Sequence, residues 1–407
     1  MQRRLRWNHQ SPKSGCITNN MKYTLIENGN AVIDRKIDKR NILLCGGEIV
    51  DTDFRGEIPE NTLRVDAAGQ YVAPGFIDIH LHGGGGYDCM DCTVEALRQI
   101  SHTHLVNGTT TMLPTAVSSS LADIQKLMET YCLVASDCPN FYGLHLEGPY
   151  ISKKQKGAHN ESLLRNPSEE ETEILLSQGK GILKRITAAP ELAGMDQFAK
   201  VMLQNGIHMS IGHSDATCDV ALKAMKNGFS LVTHLYNATP SVRKIKQVVT
   251  AGVLEAAYLD DNTVVELIAD GKHVAVEAFQ LAVKIKGIDK VCLVTDALRP
   301  AGTDATESWL GAKTPENRII VEDGVAKLTD RSSFAGSVAT TATLLEKGVN
   351  HYGLSVADTV TMLTETPAKT LGISNKGRLQ QGFSADMVMF GNDLKISRVL
   401  LGGEIVK

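Results

Sequence analysis

The chain has 407 residues, of which 43% are hydrophobic and 22% are charged, and this composition excludes a disordered chain. The length leaves room for two or three domains, or for one large barrel with an appendage. The balance of 42 basic and 46 acidic residues gives a net charge of -4, which predicts no nucleic acid and no membrane as a partner, so any anionic ligand would be small.

Residues 1–20 are polar and basic, and no apolar stretch of the kind that a secretory signal needs follows them. We therefore expect a flexible leader and a cytoplasmic protein. The eight cysteines are scattered along the chain, which predicts reduced structural thiols. Cys89 and Cys92 have a spacing that also occurs in zinc ribbons and redox sites, but no second pair of that spacing accompanies them.

Both ends of the chain carry β-type sequence. Between residues 21 and 73, short apolar runs alternate with turn signals, and Gly46-Gly47 fits a two-residue hairpin turn. The segment 399–406 nearly repeats that hairpin. We predict one small β-sandwich subdomain, made of residues 21–73 and 375–407, in which strands from the two ends pair.

Residues 74–374 alternate short apolar runs with amphipathic helical stretches. This alternation predicts parallel βαβ units, and about 300 residues of such units suit an α/β fold of the (β/α)8 TIM barrel type. A doubly wound sheet is the alternative, but no Gly-x-Gly-x-x-Gly opens a helix after the first strand. Strands are expected near 76–77, 141–146, 207–211, 231–234, 264–268 and 291–294.

Two histidines end the first of these strands. His80 and His82 are spaced i, i+2, which places both imidazoles on one face of a strand, where they can bind one metal ion. His102 and His104 have the same spacing in a helical stretch, where such side chains diverge by about 200°. We expect a metal site at the first pair, with two hydrogen-bonded strand-end histidines as the alternative, and a structural role for the second pair.

Later strands end in further candidate ligands. Glu147 precedes a Gly-Pro turn, and His213 and His234 each follow an apolar strand. Because a barrel gathers its catalytic groups at the C-terminal ends of its strands, these three side chains predict a catalytic metal site with a position open for water. Asp296 ends another strand, where it could accept a proton from that water or cap a turn.

Taken in order, these segments resemble the N-acetylglucosamine-6-phosphate deacetylases of the amidohydrolase superfamily. The resemblance extends from about residue 21 to the C-terminus, and the segment 377–386 is similar to the return of superfamily members into their β-sandwich. It rests on the segments 74–82, 145–150, 156–160, 187–191, 212–217, 233–238, 269–273, 293–297 and 335–337.

The resemblance implies a reaction, which is the metal-dependent hydrolysis of N-acetyl-D-glucosamine 6-phosphate to D-glucosamine 6-phosphate and acetate in amino-sugar catabolism. Residues matching Glu147, His213 and His234 bind the principal metal in that family. The residue matching Asp296 is the general acid/base, and His159 would polarise the acetyl carbonyl. The residues expected to touch the sugar are Ala158, His159, Asn237, Ala238, Phe334, Ala335, Gly336 and Ser337.

The resemblance places the substrate phosphate at His273. Many family members also grip the phosphate with an arginine in the loop after the segment matching Asn237-Ala238. The motif differs here, and Arg243 is our candidate for this contact because a guanidinium binds phosphate oxygens in a planar fork. Lys244 or Lys246 could serve instead, and a solvated basic loop is a further interpretation.

The resemblance also implies a divalent metal cofactor and a homodimer or homotetramer. Zinc is the expected ion and iron is the alternative, because both accept nitrogen and oxygen ligands. One ion is expected, and a second at His80 and His82 is a further expectation because family members differ there. The alternative functions are another amidohydrolase activity, such as N-acetylgalactosamine-6-phosphate deacetylation, and a non-catalytic sugar-phosphate sensor.

Overall fold

The structure is a computed structural model, and it describes residues 22–407. The expected leader, residues 1–20, lies outside the described residues. Within residues 22–407, no helix has both the length and the apolar character that a membrane span requires.

Eight parallel strands form a barrel in which spatial order follows chain order. Backbone N–H groups of Asp296 and His82 donate to the carbonyls of His80 (2.9 Å) and Ala297 (2.7 Å), and these bonds join the last strand to the first. The predicted (β/α)8 TIM barrel is confirmed. Its strands are β1 (Phe76–Leu81), β2 (Thr109–Ala116), β3 (Leu144–Glu147), β4 (Leu183–Ala188), β5 (His208–Ile211), β6 (Phe229–Val232), β7 (Val264–Ile268) and β8 (Val291–Val294).

Helices pack against the barrel strands through buried apolar side chains. Ser120 and Ser168 begin two of the helices, and each hydroxyl accepts a hydrogen bond from the backbone N–H three residues ahead. The α-helices span Val94–Leu105, Leu121–Val134, Glu169–Gln178, Met195–Gln204, Cys218–Lys226, Val253–Leu259, Val276–Lys286, Thr341–Asn350, Val356–Leu363 and Glu365–Thr370.

Two barrel strands, β2 and β4, are absent from those expected from apolar runs. Strand β2 begins with three threonines and contains Pro114, while β4 contains Lys184 and Arg185. Every residue of β2 is nevertheless buried, and Arg185 is fully buried. The inside of this barrel is therefore partly polar, so a search for apolar runs misses these strands.

The two ends of the described chain share one eight-stranded mixed sheet. Met387–Phe390 pairs antiparallel with Tyr71–Pro74, so strands from the two ends do lie side by side. The boundaries 21–73, 74–374 and 375–407 stay a prediction. In spatial order the strands are Glu404–Ile405, Ile396–Leu401, Met387–Phe390, Tyr71–Pro74, Tyr23–Ile33, Lys36–Cys45 and Glu48–Asp51, with Leu63–Asp66 beside Tyr23–Ile33.

The core of this mixed sheet is apolar. Ile26, Ile42, Leu44, Met387 and Leu400 belong to one buried cluster, to which both chain ends contribute. The predicted Gly46-Gly47 turn joins two of the strands, and both glycines have positive φ angles (56° and 86°), which glycine adopts without a steric penalty.

Smaller β elements follow the C-terminal ends of the barrel strands. A hairpin of Arg243–Ile245 and Val248–Thr250 follows β6, and a pair of two-residue strands, Gly83–Gly84 and Tyr87–Asp88, follows β1. After β8 the chain forms a four-stranded antiparallel sheet of Glu307–Trp309, Arg318–Glu322, Val325–Leu328 and Phe334–Gly336.

Candidate active site and metal centre

The C-terminal ends of the barrel strands bring the predicted metal ligands together. His80 and Glu147 lie on β1 and β3, and the other candidates follow β1, β5, β6 and β8 within two residues. All of these side chains are buried. Their ligand atoms form two groups, each with its atoms within 4.8 Å of one another: His80, His82 and Asp296, and Glu147, His213 and His234.

Glu147 lies between the two groups. Its Oε1 is 3.2 Å from Nε2 of His213 and 2.8 Å from Nε2 of His234. Its Oε2 is 3.1 Å from Nε2 of His82. Nitrogen and carboxylate-oxygen donors that converge in this way are the donor set of catalytic zinc and of non-haem iron sites.

The second ring nitrogen of each histidine determines where its lone pair points. Nδ1 of His213 donates to the carbonyl of Gln155 (2.7 Å), and Nδ1 of His234 donates to the carbonyl of Asn237 (3.1 Å). Because a carbonyl can only accept, Nδ1 carries the proton, and the neutral ring offers the Nε2 lone pair to a metal. Nε2 of His80 is buried, and no residue between 22 and 407 forms a hydrogen bond with it. These residues fit a divalent metal ion.

Buried carboxylates favour positive charge at this place. Burial by itself would lower the pKa of His80, but Glu147, with Glu266 and Asp296, raises it to about 10. Burial likewise opposes the charged form of His82, but Asp296 and Glu147 raise its pKa to about 9. The electrostatics of the site therefore suit a cation.

Three of the candidate residues have strained backbone conformations. The φ angles of His213, His234 and Asp296 are 48°, 30° and 48°, in the left-handed region that residues other than glycine rarely adopt. Each such conformation costs about 1–3 kcal/mol and persists where the surrounding structure enforces it, often at active sites.

His159 has a defined tautomer. The backbone N–H of Ser118 donates to Nδ1 of His159 at 3.3 Å, so this nitrogen is the acceptor and Nε2 carries the proton. Burial and the nearby His213 lower the pKa of His159 to about 4, which keeps the ring neutral near pH 7. Its Nε2 is 3.3 Å from Oε2 of Glu147, so an N–H donor lies beside the metal-ligand groups.

His273 is fixed by a carboxylate that the sequence analysis did not single out. Nδ1 of His273 is 2.8 Å from Oδ2 of Asp270, and Oδ1 of Asp270 accepts from the backbone N–H groups of Lys272 and His273 (both 2.9 Å). The ring of Phe334 lies 5.0 Å from the His273 ring. Asp270 therefore fixes the orientation of His273.

One pocket collects most of the residues predicted for the substrate. Ser337 does not line it, because this residue is fully buried and donates its hydroxyl to the carbonyl of Thr295. The lining residues that were not predicted are Val117, Gly157, Tyr236, Ile268, Leu310 and Ser333. Four of these are apolar or aromatic, and such residues give no sequence signal for a site. The predicted residues that line the pocket are His82, Glu147, Ala158, His159, His213, His234, Asn237, Ala238, His273, Asp296, Phe334, Ala335 and Gly336.

Arg243 does not belong to the residues that line this pocket. Its guanidinium pairs with the carboxylate of Asp215, and it also donates to the carbonyl of the same residue (2.8 Å). Lys244 and Lys246 do not line the pocket either. The phosphate contact of this loop stays a prediction.

The chain is similar to known proteins over most of its length. A family model described as the Amidohydrolase family matches residues 71–406. The chain is 31% identical over 387 residues to an N-acetylgalactosamine-6-phosphate deacetylase from Shewanella sp. (strain ANA-3), covering 94% of each protein. It is 30% identical to an N-acetylglucosamine-6-phosphate deacetylase from Haemophilus influenzae, covering 94% of this chain and 99% of that protein.

Solved structures of enzymes with the same names are also similar to this chain. The N-acetylglucosamine-6-phosphate deacetylase from Pasteurella multocida superimposes with a TM-score of 0.87 at 30% identity, covering 94% of this chain and 99% of that one. A mutant of the Mycobacterium smegmatis enzyme, solved in complex with N-acetyl-D-glucosamine 6-phosphate, gives a TM-score of 0.87 at 27% identity, covering 95% of this chain and 99% of that one. The resemblance predicted from the motifs is confirmed, and the chain belongs to the Amidohydrolase family.

Proposed function

We propose that this chain hydrolyses N-acetyl-D-glucosamine 6-phosphate to D-glucosamine 6-phosphate and acetate, a step in amino-sugar catabolism. One observation carries the proposal: Asp296, His159 and all of the candidate metal ligands except His80 line one pocket at the C-terminal end of the barrel. The named relatives support the substrate class, since they are deacetylases of phosphorylated amino sugars by name.

The metal would be held by this chain's own strand-end residues. Glu147, His213 and His234 would hold the principal ion, and His80 and His82, with Asp296, would hold a second. Zinc is the ion we propose, with iron as the alternative, because both accept this donor set. When bound, such an ion supplies Lewis-acid activation of water and of the acetyl carbonyl.

Asp296 is the proposed general acid/base. Its carboxylate would accept the proton of the attacking water and then donate it to the departing amine nitrogen. An amide nitrogen leaves poorly unless it is protonated, so the second transfer matters as much as the first. The position of Asp296 supports this role because its Oδ1 is 3.3 Å from Nε2 of His82, at the wall of the pocket.

His159 is the proposed electrophilic residue. Its neutral ring offers Nε2–H to the pocket because Ser118 fixes the other nitrogen as an acceptor. This N–H would donate to the acetyl oxygen as negative charge develops there. A neutral donor that is already oriented needs no reorganisation during the reaction.

The proposed sugar contacts are Ala158, Asn237 and Ala238 and the strand Phe334–Gly336, with Ser337 behind them. His273 would donate to the phosphate, and Asp270 would hold the His273 ring in place. Arg243 is proposed as a further phosphate ligand, which requires it to exchange its contact with Asp215 for one with the substrate.

We also propose a homodimer or homotetramer. The hairpin that contains Arg243 exposes Val248 and Val249, each 65% accessible, and residues 22–407 leave them uncovered. Light scattering during size-exclusion chromatography would test this assembly, and a monomer at micromolar concentration would contradict it. The cytoplasmic location stays a prediction.

Acetate release from three sugars tests the proposed function. We expect turnover of N-acetylglucosamine 6-phosphate and a much lower kcat/KM for N-acetylglucosamine without the phosphate. Equal rates on both would refute phosphate recognition. The Shewanella relative makes the galactosamine epimer the second candidate, and a higher kcat/KM for N-acetylgalactosamine 6-phosphate would select it. Tight binding without acetate release would support the sensor alternative.

A further inference from the structure

A charged pair lies inside the barrel. Arg185 on β4 and Glu266 on β7 are both fully buried, and their side chains form an ion pair. Branched apolar side chains usually fill the interior of such barrels. Burying two charges is costly unless good geometry and further hydrogen bonds offset the desolvation. Because this cost is high, we looked for a role of the ion pair other than filling the barrel interior.

Arg185 is fixed by partners on several strands. One terminal nitrogen, NH1, contacts the carboxylate of Glu266 and donates to the carbonyl of Ile79 at 3.2 Å. The other, NH2, donates to the hydroxyls of Ser210 (3.0 Å) and Thr233 (2.8 Å). These contacts hold the guanidinium in one orientation, and the guanidinium in turn holds Glu266.

The second oxygen of Glu266 faces the metal-ligand groups. Its Oε2 is 3.3 Å from Nδ1 of His80 and accepts from the backbone N–H of His234 at 3.4 Å. An ionised carboxylate can only accept hydrogen bonds, so Nδ1 of His80 must carry a proton. This leaves Nε2 of His80, which is 3.5 Å from Oε1 of Glu147 and 3.5 Å from Oδ1 of Asp296, as the ring nitrogen that would give up its proton to bind a metal.

We propose that Glu266, held by Arg185, is a positioning residue for a metal ion at His80, His82 and Asp296. It selects the His80 tautomer that can bind a metal through Nε2. Partners of this kind, one step behind a metal ligand, typically change metal affinity about 10–100-fold when they are removed. The proposal rests on the metal centre of the proposed function, and it does not depend on the identity of the substrate.

Cobalt titration of the metal-free full-length protein tests this role without any substrate. Co²⁺ bound per chain is counted by metal analysis, and each affinity is measured by competition with a chelator. In the unaltered protein we expect two ions per chain. In Glu266→Gln the amide can either donate to or accept from His80, so the tautomer is no longer fixed. We expect the ion at His80, His82 and Asp296 to be the weaker of the two and to lose about 10–100-fold in affinity. The affinity of the tighter ion, at Glu147, His213 and His234, should be unchanged.

Ser210→Ala is the matched control, because it removes the hydrogen bonds of one hydroxyl, to Arg185 and to Thr233 (2.6 Å), and leaves the contact between Glu266 and His80 intact. It should lower thermal stability and keep both cobalt affinities. If Glu266→Gln does not fold, Glu266→Asp retains the charge that balances Arg185 but shortens the side chain by one methylene. The weaker ion should again lose affinity.

Three results would overturn the proposal. One is a single ion per chain in the unaltered protein, since His80, His82 and Asp296 would then hold no metal. Another is unchanged cobalt affinity for both ions in the Glu266 variants. The third is an equal loss of both ions in Ser210→Ala, because the network would then act only on general stability. Failure of acetate release would leave all of these measurements intact.

Discussion

The barrel rim, meaning the C-terminal ends of the barrel strands where the candidate metal ligands lie, and the mixed sheet both bury their side chains. They differ in the kind of side chain that is buried. In the mixed sheet, Leu44 and Met387 belong to an apolar cluster that both ends of the described chain supply. At the rim, buried histidines and carboxylates crowd together, and the φ angles of His213, His234 and Asp296 are all positive. Such strain and buried charge reduce stability and have to be offset elsewhere. The mixed sheet contributes to that stability, and the rim holds the residues proposed for catalysis.

The largest expected effect is a loss of turnover, caused by a substitution at the barrel rim. In Asp296→Asn we expect turnover to fall about 10²–10⁴-fold, because the amide can neither accept the proton of water nor return it to the amine. Steady-state acetate release measures this loss, and metal analysis should show that the ion held by Glu147, His213 and His234 is retained. Substantial residual turnover would refute the acid/base role. Loss of that principal ion together with activity would mean that the variant acts through the metal centre.

A substitution in the mixed sheet should lower stability and leave catalysis unchanged. Leu44→Ala leaves a cavity in a buried apolar cluster, so the free energy of unfolding should fall by about 2–5 kcal/mol. Chemical denaturation measures this change. Below the unfolding transition, kcat/KM should match that of the unaltered protein. A parallel loss of kcat/KM would mean that the mixed sheet also shapes the pocket.

Asp270→Asn should affect binding more than chemistry. The variant weakens the hold on His273, and a hydrogen bond to a charged group contributes about 1.5–3 kcal/mol, so KM for the phosphorylated sugar should rise roughly tenfold. The kcat should change little, and the unphosphorylated sugar provides the control. A fall in kcat without a change in KM would remove His273 from the phosphate site.

The smallest expected effect is on the pH dependence of stability, and it comes from a buried histidine that does not line the pocket. His104 donates from Nε2 to the carbonyl of Gly83, and burial lowers its pKa below 6.5. The unfolded chain therefore binds this proton more readily. The stabilisation by neutral His104 is present above the unfolded pKa of about 6.5 and is lost as the pH falls through the lower pKa of the folded state.

His104→Gln keeps a donor for Gly83 but does not titrate. Between about pH 7.5 and about pH 5.5, the Tm of the unaltered protein should therefore fall further than that of the variant. Differential scanning calorimetry at matched ionic strength measures both. Identical pH dependence of the two Tm values would contradict the lowered pKa, and kcat/KM at neutral pH should be unaffected.

The strand-end pattern made much of this site predictable. Glu147 and His213 could be placed because apolar strands precede them and because a barrel gathers strand ends at one face. The residues that contact the metal-ligand groups from inside the barrel could not be predicted in this way. Arg185 and Glu266 are 81 residues apart in the chain and meet across the barrel interior, and no local sequence pattern encodes that pairing. A charged residue within an otherwise apolar strand, as in 264–268, is the signal to follow.

Metal dependence of acetate release is best tested by comparing metal-free and reconstituted protein. Acetate release from N-acetyl-D-glucosamine 6-phosphate is measured after chelation, and again after zinc is added back in stoichiometric amounts. We expect the metal-free protein to be folded and inactive, and zinc to restore turnover. Full turnover by the metal-free protein, or no acetate release after reconstitution with either zinc or iron, would refute the proposed metal-dependent hydrolysis.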